Sequence, residues 1–304
     1  SSRSICSSLI FLSRSMAAFS YSCRLTSSSF SCLTPSICFS ISRIYRFRVL
    51  GLVMGLSCLG STWLLSAAPA PNADDAKAVV DEAQRGTEST SERYEGILKS
   101  FDAGGKMTEK RWTYERLGSH GQSKSVIRFS APAEVKGVAL LIVNHPDRSS
   151  DQWMWTPAIE RDRRIALQDR STRFFGTDFT FEDLEERDVN QYDYMAMPDE
   201  VINGVPCWSI QSTPKQTKVS QYAKSVMWIR KDNYAYARID LWSKDAVVRR
   251  LTYSALREVQ GIWTAHDLTM ADLKRQSRTQ LVLDGVQYNH PRRNEDFTLQ
   301  ALRQ

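Results

Sequence analysis

Beyond residue 70 the chain has a single cysteine, Cys207; the other five, Cys6, Cys23, Cys32, Cys38 and Cys58, all precede it. A disulfide framework is thereby excluded for the larger part of the sequence. Within the alternating stretch PCWSI, Cys207 reads as a small buried core residue rather than a nucleophile. Histidine is equally sparse: His120, His145, His266 and His290 are widely separated, and none stands three or four positions from another. No H-E-x-x-H, C-x-x-C, G-x-S-x-G or glycine-rich phosphate loop occurs beyond residue 70, so metal and acyl-transfer chemistry have no visible home. A basic body is missing too. The formal charge of +6 arises in residues 1–70, which hold six arginines and no lysine or acid; the remaining 34 basic residues face 34 acidic ones. A neutral body with interspersed signs lacks the stripe that phosphate-backbone binding requires, which excludes a nucleic-acid binder.

What the first 70 residues do contain is ordered. Residues 43–70, RIYRFRVLGLVMGLSCLGSTWLLSAAPA, run from three arginines through an apolar stretch to small residues, the pattern of a secretory signal peptide cleaved before Pro71. A retained membrane anchor is the alternative, weakened by Gly51, Gly55, Ser57 and Gly60 in the apolar run. Lipid attachment at Cys58 is disfavoured by the residues before it. Residues 1–42, rich in Ser and Cys, read as a misassigned start, with an organelle transit peptide as the other reading. One domain is expected over 71–304.

Past this leader one helix is expected. In ADDAKAVVDEAQR, residues 73–85, Ala76, Val79, Val80 and Ala83 share one helical face, and Gly86 stops it. From there the apolar period changes to two. Strands are expected at 97–101, 107–117, 123–130, 138–144 and 152–155, then at 201–210, 225–230, 234–242, 247–254, 262–271 and 278–283. Short turns join them, and Asn203-Gly204 between Ile202 and Val205 is a strong hairpin signal. This is an antiparallel meander, since no helices of crossover length separate the strands. In NYAYARIDLW the alternation places Ala235, Ala237, Ile239 and Leu241 on one side and Tyr234, Tyr236, Arg238, Asp240 and Trp242 on the other. A face that mixes large aromatics with charge is that of a partly covered surface or a cavity wall; Trp112 with Tyr114, and Trp153 with Trp155, repeat it. The plainer reading is that Trp and Tyr are simply good strand residues.

The segment FFGTDFTFEDLEERD, residues 174–188, places five acids within seven positions. Thr180 and Asp183 have the capping-box spacing, so the acids are expected to start a short helix rather than to bind a metal. Gly176 precedes the acids instead of lying among them, unlike a calcium loop. Phe174, Phe175, Phe179 and Phe181 remain as an apolar patch, suited to a lid that packs on a sheet.

Seven stretches in order carry a family resemblance: FSAPAEVKGVALLI (129–142), DQWMWTPAIERDRRI (151–165), the 174–188 segment, INGVPCWSI (202–210), SVMWIRKDN (225–233), VQGIWTAHDLTMADLKRQSRTQLVL (259–283) and NEDFTLQAL (294–302). Together they resemble the LolA-like outer-membrane lipoprotein-sorting family, in the periplasmic branch often found beside RND-type exporters. The resemblance implies a mainly β (α+β) fold, an open, incompletely closed antiparallel β-barrel of about eleven strands with helices covering its mouth. It also implies a hydrophobic cavity for lipid or lipoprotein acyl chains; with the missing motifs above, no cofactor, no metal and no catalytic residue are expected. Arg161, Arg163 and Arg164 follow the tryptophan strand, but no motif equates any of them with the family's lid-closing arginine. On this reading Leu140, Ile142, Trp153, Trp155, Phe174, Phe175 and Phe179 are the candidate cavity residues, and 174–188 is a lid held by modest contacts. Two other readings stand beside it: an accessory protein that binds an RND-type exporter through its surface, and a lipid hydrolase working through a buried carboxylate pair.

Overall fold

The computed structural model describes residues 73–146 and 148–304. The leader readings for 1–42 and 43–70, Cys58 included, lie outside the described residues. The first element, helix α1 (Ala73–Arg85), has the bounds its periodicity predicts. Its stripe of Ala76, Val80 and Ala83 is fully buried, with contacts to strands of the sheet described next.

Thirteen strands follow among the described residues: β1 (Ser91–Phe101), β2 (Met107–Leu117), β3 (Lys124–Ala131), β4 (Ala139–Val143), β5 (Asp151–Thr156), β6 (Arg161–Arg164), β7 (Tyr192–Ile202), β8 (Val205–Pro214), β9 (Lys224–Arg230), β10 (Tyr236–Ser243), β11 (Ala246–Val259), β12 (Ile262–Asp272) and β13 (Ser277–Tyr288). All belong to one antiparallel sheet in the order β6-β5-β4-β3-β2-β1-β13-β12-β11-β10-β9-β8-β7. Chain neighbours pair except β6 and β7, which end at opposite edges; the one long-range pairing is β1 with β13. The count is thus thirteen rather than about eleven. The two additions escape a period-two search for physical reasons. β6 reads RDRR, an exposed edge strand with no apolar face, and β7 is an edge strand whose one buried side chain is Tyr194. The Asn-Gly hairpin is as expected: Asn203 has φ 51° and Gly204 φ 81°, the two positive values a type I′ turn needs.

Strands β6 and β7 are the unpaired edges, so the sheet is open. It nevertheless curls on itself. Ile142 of β4 and Ile210 of β8, far apart in the strand order, belong to one buried cluster with Leu98, Met227, Met270 and Leu281. Two smaller clusters lie on the opposite face. One joins Val126, Ala139 and Leu141 to the C-terminal tail, where a 3-10 turn (Asn294–Phe297) leads into helix α2 (Leu299–Leu302) and seats Phe297 and Leu302. The other gathers Cys207, Val226, Trp228 and Ala237, so Cys207 is a buried outer-face residue, as its strand pattern predicts. α2 therefore packs on the outside of the sheet and covers no mouth. Among the described residues no helix is long and apolar enough to cross a membrane.

Candidate functional site

The concave face is filled at one end and hollow beside it. In the filled part Trp112 on β2 meets Phe129 and Phe174, with ring centroids 5.9 and 6.0 Å away, and Phe181 meets Phe174 edge-on at 5.4 Å. Trp112 reaches across the ladder because its partner in register is Gly96: a Cβ on Gly96 would stand 1.8 Å from Trp112 Nε1. Past Phe179 the side chains thin out and leave a cavity of about 400 Å³. Its apolar wall is built from Ile127, Leu251, Leu268, Leu281 and Leu283. Its aromatic wall is tyrosine: Tyr94 and Tyr114 stack with centroids 4.7 Å apart, and Tyr236 and Tyr253 approach to 5.8 Å from the opposite side. Burial raises the pKa of all four phenols, so they stay neutral donors and acceptors at any physiological pH. A surface of this kind is greasy along the rings and leucines and polar at the hydroxyls, which suits an amphiphile.

One end of the cavity is charged. Arg116 on β2 donates to Glu92 Oε2 on β1 from Nη2 at 3.0 Å and from Nε at 3.1 Å, and its Nη1 lies 3.6 Å from Glu186 Oε1. His120 Nδ1 is 3.7 Å from the same Glu186 oxygen. Burial pushes Glu92 above the usual carboxylate range, although Arg116 opposes the shift. It holds His120 below the usual imidazole range despite Glu186, so that ring is uncharged at neutral pH. The pair Glu92 and Glu186 outlines the two carboxylates a hydrolase would need, but both are engaged by one guanidinium, which is sufficient reason for their placement.

The segment between β6 and β7 passes along this interior, and it is not a lid held by modest contacts. Arg173 and Thr180 form a lone bridge, Phe174 N donates to Phe179 O at 2.8 Å, and the predicted helix is a single 3-10 turn at Glu182–Leu184. The capping-box pair is present: Thr180 N donates to Asp183 Oδ2 at 2.7 Å, and Asp183 N to Thr180 Oγ1 at 3.4 Å. The acids then reach outward to the sheet and to the chain on either side. Asp178 accepts from Ser277 and Thr279 on β13 at 2.6 and 2.9 Å; Asp183 accepts from Tyr222 at 2.8 Å and faces Arg249 at 3.3 Å; Glu185 pairs with Arg170 at 2.5 Å and Lys218 at 3.1 Å. Each of these carboxylates is almost fully enclosed. A segment tied by so many buried charge-assisted bonds is a fixed strap, because opening it exposes several unpaired ions at once.

The seven predicted cavity residues fall in three places. Phe179 lines the cavity. Leu140, Ile142 and Phe174 are buried in the packed cluster beside it, with Phe175 half-buried against them. Trp153 and Trp155 correct the expectation: they lie on the outer face, against Leu141, Phe297 and Leu302. Register explains this. Trp153 pairs with Leu141 and Trp155 with Ala139, and directly opposed residues share a face, so both tryptophans turn away from Leu140 and Ile142. A second correction concerns β10. A bulge between Tyr236 and Arg238 puts Tyr236 on the concave side with Ile239 and Leu241, while Ala237, Arg238 and Trp242 face outward. Strict alternation misplaces Tyr236 for that reason. Of the wall tyrosines, Tyr114 and Tyr236 stand in the mixed aromatic faces that the sequence points to, yet none is among the seven candidate residues.

Residues 121–304, more than half of the chain, match the model of a protein family described as "-like: Uncharacterized protein". The chain belongs to that family, and its fold is LolA-like. Among solved structures, a domain assigned to outer membrane lipoprotein sorting from Vibrio parahaemolyticus superposes with TM-score 0.73 at 24% identity, over 77% of this chain and all of its own. A DUF1329 family protein from Desulfovibrio piger gives TM-score 0.72 at 26% identity over 76% of this chain and 98% of its own. A LolA superfamily protein from Nitrosomonas europaea gives 0.60 at 16% identity, over 74% and 98%. No curated protein sequence matches the LolA-like chain.

Proposed function

We propose that this LolA-like protein is a non-catalytic periplasmic carrier, exported by the segment at 43–70, that shelters an acyl chain of a lipid or lipoprotein between its tyrosine and leucine walls. The observation that carries this reading is the cavity itself: about 400 Å³, within the roughly 300–1,000 Å³ typical of small-molecule sites. At about 0.8 kcal/mol per buried methylene, about ten methylenes supply a gross ~8 kcal/mol, which is micromolar before ordering costs. Binding of that strength is reversible, as transfer to an acceptor requires. With the strap fixed, cargo enters by the open cavity rather than under a moving lid. Leu140, Ile142, Phe174 and Phe175 then serve as the packed floor against which Phe179 and the cavity wall are held.

An RND-type exporter is the membrane partner this reading takes over from the resemblance. Binding to such a partner through the surface alone would call for an exposed aromatic patch, and Trp263 is the sole exposed aromatic among the described residues. The carrier reading is tested by organic extraction of protein purified from its native envelope, followed by mass spectrometry and by titration with a fluorescent fatty acid. Co-purified lipid and saturable uptake are expected. Neither lipid nor uptake would sink it.

A further inference from the structure

Four arginines are enclosed by protein, and three have a carboxylate. Arg116 pairs with Glu92, Arg170 with Glu185, and Arg249 with Asp183. The fourth, Arg187, at the end of the strap, has none among the described residues. Its Nη2 donates to the hydroxyls of Ser212 on β8 and Ser225 on β9, the latter at 3.2 Å. Its guanidinium carbon stands 3.8 Å over the ring of Tyr192, its side chain also faces the Tyr194 hydroxyl, and its Nε is left without a hydrogen bond. The surrounding phenols do not supply the missing negative charge, because burial raises Tyr194 and Tyr236 above the usual phenol range and keeps them protonated. A guanidinium does not shed its proton, so this is a standing, uncompensated positive charge. Such a charge is strongly disfavoured unless an anion completes it.

The location says what kind of anion. Tyr236 and Tyr253 line the cavity wall, and both lie within electrostatic reach of Arg187. Arg187 does not itself line the cavity, and protein surrounds it on every side, so an ion reaches it from within, past these rings. An ion arriving there passes between leucines and tyrosine rings, which selects for a charge that travels with a hydrocarbon tail.

We infer that Arg187 is an anion-anchoring residue, and that the cargo is an amphiphile whose head is a carboxylate or phosphate bound by its guanidinium fork, with Ser212 and Ser225 as accompanying donors. This deepens the carrier reading and rests on it. A carboxylate or a phosphate presents two oxygens to a guanidinium, whereas an alcohol or ester of equal chain length forfeits the charge-assisted bonds.

The test compares dodecanoate, dodecyl phosphate and dodecanol on the full chain at pH 8, by calorimetry, in wild type and Arg187→Met. In wild type at least one anionic amphiphile is expected to bind about tenfold or more tighter than dodecanol. In Arg187→Met that preference is expected to vanish while dodecanol affinity stays the same, and the thermal midpoint is expected to hold or rise, since a lone buried charge has been removed. Equal wild-type affinity for all three, which needs no variant to observe, overturns the inference and leaves the carrier reading intact. So does a preference that survives in Arg187→Met. Binding of none of the three overturns both.

Discussion

Gly96 and Trp112 face each other across the β1–β2 ladder, and the indole occupies the place a Cβ would take. Gly96→Ala is expected to push the ring off its packing against Phe129 and Phe174 and to cost about 1–3 kcal/mol, the usual penalty of overpacking. Urea denaturation measures it. In a Trp112→Leu background the same substitution should cost far less, because the obstructed atoms are gone; strictly additive costs would contradict the contact. A glycine inside a strand signals that something comes close, but not what, and only the register names Trp112. The same limit governs Trp153, Trp155 and Tyr236. Period two was legible in β5 and β10, whereas the face that points inward depends on the neighbouring strand and, for Tyr236, on one extra residue in β10.

At the level of elements, α1 and the Asn203-Gly204 hairpin were readable to the residue because helix periodicity and turn chemistry are local. The strap was half readable. Its Thr180–Asp183 cap is a spacing of three and shows in the sequence; the partners Tyr222 and Arg249 lie 39 and 66 positions away and do not. Those distant partners convert an expected lid into a fixed strap. Removing one tests the point. Asp183→Ala leaves Arg249 enclosed beside the Tyr222 hydroxyl without its nearest carboxylate, and the expected loss is about 3–5 kcal/mol, the cost of breaking a buried pair. A loss below about 1 kcal/mol, the range of surface pairs, would show that the strap opens easily after all.

Across the whole molecule, the two faces of the sheet have separate tasks, and variants should divide accordingly. Leu302, by which the C-terminal tail is seated on the outer face, is expected to cost about 2–5 kcal/mol as Leu302→Ala without changing fatty-acid uptake at a temperature where the variant stays folded. Leu283→Trp, on the cavity wall, is expected to lower uptake about tenfold or more while leaving the thermal midpoint nearly unchanged, since it fills empty space. Fluorescent fatty-acid titration and thermal melts read both; uptake that tracks Leu302 rather than Leu283 would relocate the site to the other face.

The antiparallel meander, the initial helix, the neutral body and the want of a familiar catalytic motif all follow from near neighbours along the chain, since propensity, periodicity and turn geometry act over a few residues. The hollow does not. It exists because strands as remote in the sheet as β3 and β10 curl around one space, the strap fills part of it, and Gly96 lets Trp112 come close at its edge. A void is set by which distant side chains fail to meet, and that depends on register, bulges and curvature rather than on any local pattern.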